Sequence, residues 1–231
     1  MIQRAAFIGS SFALAADIAV ASSAKGEPIG LVETTEEFDL AAFTKLVSRS
    51  AYVRQVWDAG TLHPQILGGV KSALNGLQFG FGIPPNQIAT AFVTHKESNL
   101  LLYDDTAWST YQLGRLFDVK DPTGALVTTN IFAPARSTQT NSDPNDVRGF
   151  YQDASISTLQ ARGVVFFACN TVLVQHAQQI ANAGTARNQT PAEVAQQLRK
   201  HLLPKVTLVP SGVAAVAYLQ SRFHYAYGTQ Q

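Results

Sequence analysis

Three short segments each place a reactive or anion-binding residue directly after a β-prone run. They are Phe92-Val93-Thr94-His95-Lys96, Phe167-Ala168-Cys169-Asn170-Thr171 and Val209-Pro210-Ser211-Gly212. Cys169 stands where a strand gives way to a helix, and the free N–H groups and dipole of a helix start favour a thiolate there. A thiolate can take up sulfane sulfur as a persulfide and release it by exchange. His95 can donate to an anionic ligand or act as a base. Ser211 and Gly212 open the next helix, whose N–H groups can cradle an anion, as can those that follow Cys169 from Asn170 onward. Each residue also has a purely structural reading. A free cysteine packs well in a core, a strand-end histidine is commonly just hydrogen-bonded, and a serine at a helix start is an ordinary cap.

Other candidates are weaker. Trp108 and Tyr111 lie one helical turn apart, lining a pocket or simply filling the core. Asp104-Asp105 resembles a carboxylate pair, but capping of a helix accounts for at least one of them. His63, His176, His201 and His224 show no metal-ligand spacing with a carboxylate or with each other, so no metal is expected. The chain has no P-loop, no G-x-G-x-x-G after a strand and no G-x-S-x-G elbow. Nucleotide cofactors and serine hydrolysis therefore have no support, and no cofactor is expected.

The elements that must position these residues alternate. Asp39 caps a helix over 40–47 with Leu40, Phe43, Leu46 and Val47 on one face. A strand follows at 52–57, then a helix from Pro64 to about Gln78, ended by Gly80, Gly82, Pro84 and Pro85. Residues 88–94 read as a buried strand and Asp105 starts a short helix that Gly114 stops. Residues 118–149 are rich in Pro, Thr, Asn, Ser and Asp, an excursion too long for a plain connector and so a functional or subunit-contacting one. Helix 152–161, strand 164–169, helices 171–181 and 191–201, strand 206–209, helix 213–221 and a last short strand at 225–227 complete the pattern. Strands alternating with helices specify an α/β fold with a parallel sheet covered on both faces. In such sheets ligands bind beyond the carboxyl ends of the strands, and parallel strands would open all three segments on the same side.

With 17 Lys+Arg against 16 Asp+Glu, the chain carries no field that would draw nucleic acid or an anionic membrane. A single cysteine excludes an internal disulfide and any cysteine-rich metal site within one chain. Residues 5–24 are apolar and free of Lys and Arg, preceded by Arg4 and closed by Ser22-Ser23-Ala24. That pattern fits an export signal over 1–24, and it places the mature protein outside the cytoplasm. Asp17 near its middle argues against a stable membrane anchor. Residues 25–51 then form a linker and first helix, and 52–231 a single α/β domain.

The same strand ends carry a resemblance. GVVFFACNTVL from Gly163 and LLPKVTLVPSGVAAVAYLQ from Leu202, with DDTAWSTYQLG from Asp104 and ALNGLQFGFG from Ala73, resemble the DsrE/DsrF-like family, in its exported branch. These small α/β proteins are associated with sulfur oxidation and sulfur transfer. The resemblance covers most of 52–227 but not the excursion. It implies a doubly wound, mainly parallel sheet of about five strands, assembly into trimers or hexamers, a periplasmic setting and a cysteine at the position of Cys169 that carries sulfur in some members. Thr171 stands where a second Asn often follows, Lys96 where Gly is common, and Arg222-Phe223-His224 in place of a glycine turn. Two functions follow as expectations. In one, Cys169 relays sulfane sulfur between a donor and an acceptor protein, with His95, Asn170, Ser211 and Gly212 around the bound sulfur. In the other, an oligomeric binding protein keeps Cys169 packed and holds a small anion or a partner segment at the strand ends.

Overall fold

The computed structural model describes residues 37–62, 65–137 and 143–230. The segment read as an export signal, most of the linker after it, His63, Pro64 and the tip of the excursion lie outside the described residues. Five strands, β1 (Val53–Ala59), β2 (Ile88–Thr94), β3 (Val164–Cys169), β4 (Val206–Val209) and β5 (Ala226–Gln230), form one sheet in the order β4-β3-β2-β1-β5. Every pairing is parallel. The fold is a doubly wound α/β sheet.

The strand order dictates which face each helix covers. From β1 to β4 the chain steps in one direction, and right-handed crossovers keep the connecting helices on one face. These are α2 (Ile66–Asn75), α3 (Asp105–Thr110), α4 (Leu113–Leu116), α5 (Ile156–Ala161), α6 (Asn170–Asn182) and α7 (Pro191–Lys200). The step from β4 back past β1 to β5 reverses direction, so its helix α8 (Gly212–Phe223) lies on the other face. There it joins α1 (Leu40–Val47). Two apolar clusters result on the first face. One joins Leu67, Val70 and Leu74 to Phe92 and Phe166, and the other joins Trp108, Leu173, Val194 and Leu198. On the second face Phe43, Val47, Val216 and Leu219 cover Val56, Val93 and Phe167.

Strands β2, β3 and β4 occupy the residues their apolar runs mark out, because buried parallel strands need no polar alternation. Several helices differ from expectation. In α1 only Phe43 and Val47 are buried, while Leu40 and Leu46 stand exposed, because α8 covers a narrower stripe than the apolar pattern spans. The helix expected over 152–161 starts only at Ile156, because the Asp153 carboxylate takes the N–H groups of Arg136, Ser137 and Ser155, and Ser155 caps the shorter helix α5. Burial raises the Asp153 pKa, but these bonds and the Thr158 hydroxyl outweigh it and hold the carboxyl below its usual range. Gly114 does not stop a helix. The turn comes at Gln112, in a left-handed conformation, and Gly114 lies inside α4 where the Val127 carbonyl leaves no room for a Cβ. The excursion is thus stitched down at Val127, at Asn130 and at Asp153. The Asn130 carboxamide donates to Leu101 O and Tyr103 O at 2.7 Å each.

Candidate functional site at the carboxyl edge of the sheet

The three strand-end segments do meet. Asp58, His95 and Cys169 alternate with Val56, Val93 and Phe167, so all three belong to the face covered by α1 and α8. The β2–β3 register pairs Val93 with Phe167, and two residues further on it sets His95 beside Cys169. Gly212, at the start of α8, fits between them. A Cβ there would lie 3.3 Å from His95 Cβ, 3.4 Å from Cys169 Cβ and only 2.7 Å from Thr94 O. The glycine is required by close approach, and its absence of a side chain lets α8 sit directly over the pair. Gly212→Ala should therefore cost about 2 kcal/mol and lift the first turn of α8. A denaturation midpoint equal to that of the parent protein would contradict this packing.

His95 is held from the β1 side. Its Nε2 is 2.8 Å from Asp58 Oδ1, in an ion-pair contact with both side chains mostly buried, at 18% and 15% exposure. The ring N–H is not in line with the oxygen, and Asp58 Oδ1 has no other donor. Asp58 Oδ2 accepts the Tyr227 hydroxyl at 2.9 Å. Cys169, His95, Asp58 and Tyr227 thus form a row across the four adjacent strands β3, β2, β1 and β5. Neither Asp58 nor Tyr227 stands out in the sequence. The available signal is an acid near the end of the strand VRQVWDA, two residues before Gly60.

Cys169 is the N-cap of α6 and is 2% exposed. Its backbone is fixed by Asn99, whose Oδ1 accepts the Cys169 N–H at 2.8 Å and the Thr94 hydroxyl at 2.7 Å. The Asn99 Nδ2 donates to the Tyr103 hydroxyl at 3.2 Å and to Cys169 O at 3.4 Å. Tyr103 in turn lies 3.3 Å from His176 Nδ1. Burial pushes the Tyr103 phenol well above its ordinary pKa, with the Asn99 bond opposing it and the Cys169 charge adding to it. A fully satisfied polar network therefore underlies the strand ends on the first face, opposite the Cys169–His95–Asp58 row.

The remaining expected residues divide. Ser211 is the N-cap of α8, but its side chain makes no capping bond, so a hydroxyl and the first turn of a 12-residue helix stand at the edge together. Asn170 is 1% exposed and its Oδ1 accepts from Arg199 Nη2 at 2.9 Å, which ties α6 to α7 and engages that side chain within the fold. Asp104 caps α3 through the Ala107 N–H, and Asp105 accepts the Asn130 N–H, so each has a structural task. Trp108 and Tyr111 are buried core residues, with the indole N–H donating to Leu100 O. Among the described residues no three His, Cys, Asp or Glu side chains gather as metal ligands, and no helix is long and apolar enough to cross a membrane.

No family model matches the chain, and no curated protein matches it. Among solved structures it is similar to a protein of unknown function, MTH1491 from Methanobacterium thermoautotrophicum. The identity is 15% over 77% of this chain and 99% of that one, with a TM-score of 0.40.

Proposed function

We propose that the protein carries sulfane sulfur on Cys169, as an exported relative of the DsrE/DsrF-like proteins. The observation that supports this is the placement of the only thiol beside His95, itself backed by Asp58, under the glycine start of α8. In the loading step His95 takes the Cys169 proton, and the thiolate attacks the outer sulfur of a persulfide or polysulfide, R–S–SH. A Cys169 S–S bond forms, the donor's S–S bond breaks, and the leaving R–S⁻ recovers a proton from His95. The sulfane sulfur moves without net oxidation or reduction, so no cofactor is needed. Delivery is the reverse step onto an acceptor thiol. The first-turn N–H groups of α6 and α8 supply electrostatic support for the anionic persulfide. Assembly of several copies and a periplasmic setting belong to the same reading.

Burial of Cys169 favours a second reading. The thiol is then core, and the useful surface is the apolar cavity of ≈ 170 Å³ beside Ser211, lined by Phe38, Phe43, Pro210 and Tyr218, where a partner segment would bind. Intact mass separates the two. The native protein exposed to inorganic polysulfide should gain whole sulfur atoms, and Cys169→Ser should gain none. His95→Gln should slow loading by about tenfold or more, the ordinary contribution of a positioned base being about 10²–10⁴. A native protein that stays unmodified, or a Cys169→Ser variant that loads as well, would overturn the carrier reading.

A further inference from the structure

A second cleft lies away from the strand ends, where α3, the α6–α7 turn and the end of α7 meet. Its volume is ≈ 390 Å³, within the range of about 300–1,000 Å³ common for small-molecule sites. Thr106, Thr110, Arg187, Gln189, Gln197 and His201 line it together with the Tyr111 hydroxyl end, and no carboxylate does.

The hydrogen bonds around the cleft fix which atoms remain to face a ligand. The Tyr111 hydroxyl donates to Gln189 Oε1 at 3.1 Å, which uses the oxygen of that amide and leaves its NH₂ as a donor. Asp104 Oδ2 lies 3.0 Å from His201 Nδ1, which engages that ring nitrogen and leaves Nε2 as the one to meet a ligand. The other Asp104 oxygen caps α3, so this carboxylate is fully engaged behind the imidazole. Arg187 and Asn188 both hold left-handed backbone conformations, with φ of 47° and 70°. The Arg187 guanidinium has no hydrogen-bond or ion-pair partner among the described residues. A guanidinium, two side-chain amides and two hydroxyls, with an imidazole nitrogen and no carboxylate in the lining, match an oxyanion that carries its own hydroxyl groups.

We infer that this cleft binds a small hydroxylated oxyanion. Its charged oxygens sit on Arg187, Gln189 and the threonine hydroxyls, and one of its hydroxyls bonds His201 Nε2. A carboxylate and a phosphate monoester share this chemistry, so glycerate and glycerol 3-phosphate are the two probes, with glycerol as the uncharged control. Calorimetry on the full chain should show saturable binding of at least one probe and none of glycerol. Arg187→Gln, at an exposed position, should weaken that binding about 10- to 100-fold, as loss of a charge-assisted bond does. Thr110→Val should weaken it about threefold to tenfold. Cys169→Ser should bind as the parent does, because the cleft uses none of the strand-end residues. Absence of saturable binding of either probe at millimolar concentration, or unchanged affinity in Arg187→Gln, overturns the inference and leaves the sulfur-carrier reading untouched.

Discussion

Asn99→Leu should lower the unfolding free energy by roughly 4 kcal/mol, with the loss read from urea denaturation at neutral pH. The side chain is fully buried and serves four groups: the Cys169 N–H, the Thr94 hydroxyl, the Tyr103 hydroxyl and Cys169 O. Leucine occupies similar space but accepts and donates nothing. Each buried polar group left without a partner costs about 1–3 kcal/mol, and the Cys169 N–H and the Thr94 hydroxyl lose their short bonds together. Thr94 retains Phe167 O at 3.2 Å as a second acceptor, which keeps the total below the simple sum. The variant should also free the Cys169 turn, so its thiol should react faster with a maleimide than that of the parent. A destabilisation under about 1 kcal/mol would show that the network contributes little to the strand ends.

Acid should destabilise the fold through His176 before it reaches the carboxylates. His176 is 3% exposed, and burial lowers its pKa from 6.5 to about 4. Its Nδ1 lies against the Tyr103 hydroxyl and its ring against Phe117, 4.9 Å between centroids, so the neutral ring fits and an imidazolium has no counter-charge there. The unfolded chain binds the proton more tightly than the folded one, so stability rises with pH between about 4 and 6.5. The contribution is complete above the unfolded value and is lost as pH falls through the folded one. At about 1.4 kcal/mol per unit, the span amounts to roughly 3 kcal/mol. Asp153, whose carboxyl is held below its usual range, loses its contribution only at lower pH, so the two effects separate. Denaturation at pH 7.5 and pH 4.5 should show most of that difference in the native protein and little in His176→Gln. An equal acid loss in both proteins would assign the effect elsewhere.

The sequence makes the parallel α/β sheet legible because Ile88–Thr94, Val164–Cys169 and Val206–Val209 are apolar runs that only a doubly covered sheet can bury. It also marks the cap at Asp39 and the edge residues His95, Cys169 and Gly212. What it conceals arises from pairing at a distance. The strand expected over 52–57 stops short of Asp58, yet the sheet extends β1 to Ala59 and sets that carboxylate against His95. Asn99, in a polar-looking KESN segment, becomes the hub beneath Cys169 only when β2 and β3 lie side by side. Asn170 shows the opposite case. Its neighbour Cys169 suggests an edge position, but the α6–α7 packing gives it to Arg199.

The return of the last strand to the first has a temporal consequence. β5 pairs with β1 across about the whole domain, and the Tyr227–Asp58 and Tyr225–Val47 bonds span 169 and 178 residues. Contacts that close such long loops form late, because the entropy of closure precedes any gain. During synthesis β1 to β4 can assemble first, with β1 an open edge and Asp58 lacking its tyrosine. Arrival of β5 then seals a strand edge prone to misassociation and braces the aspartate behind His95 in one event.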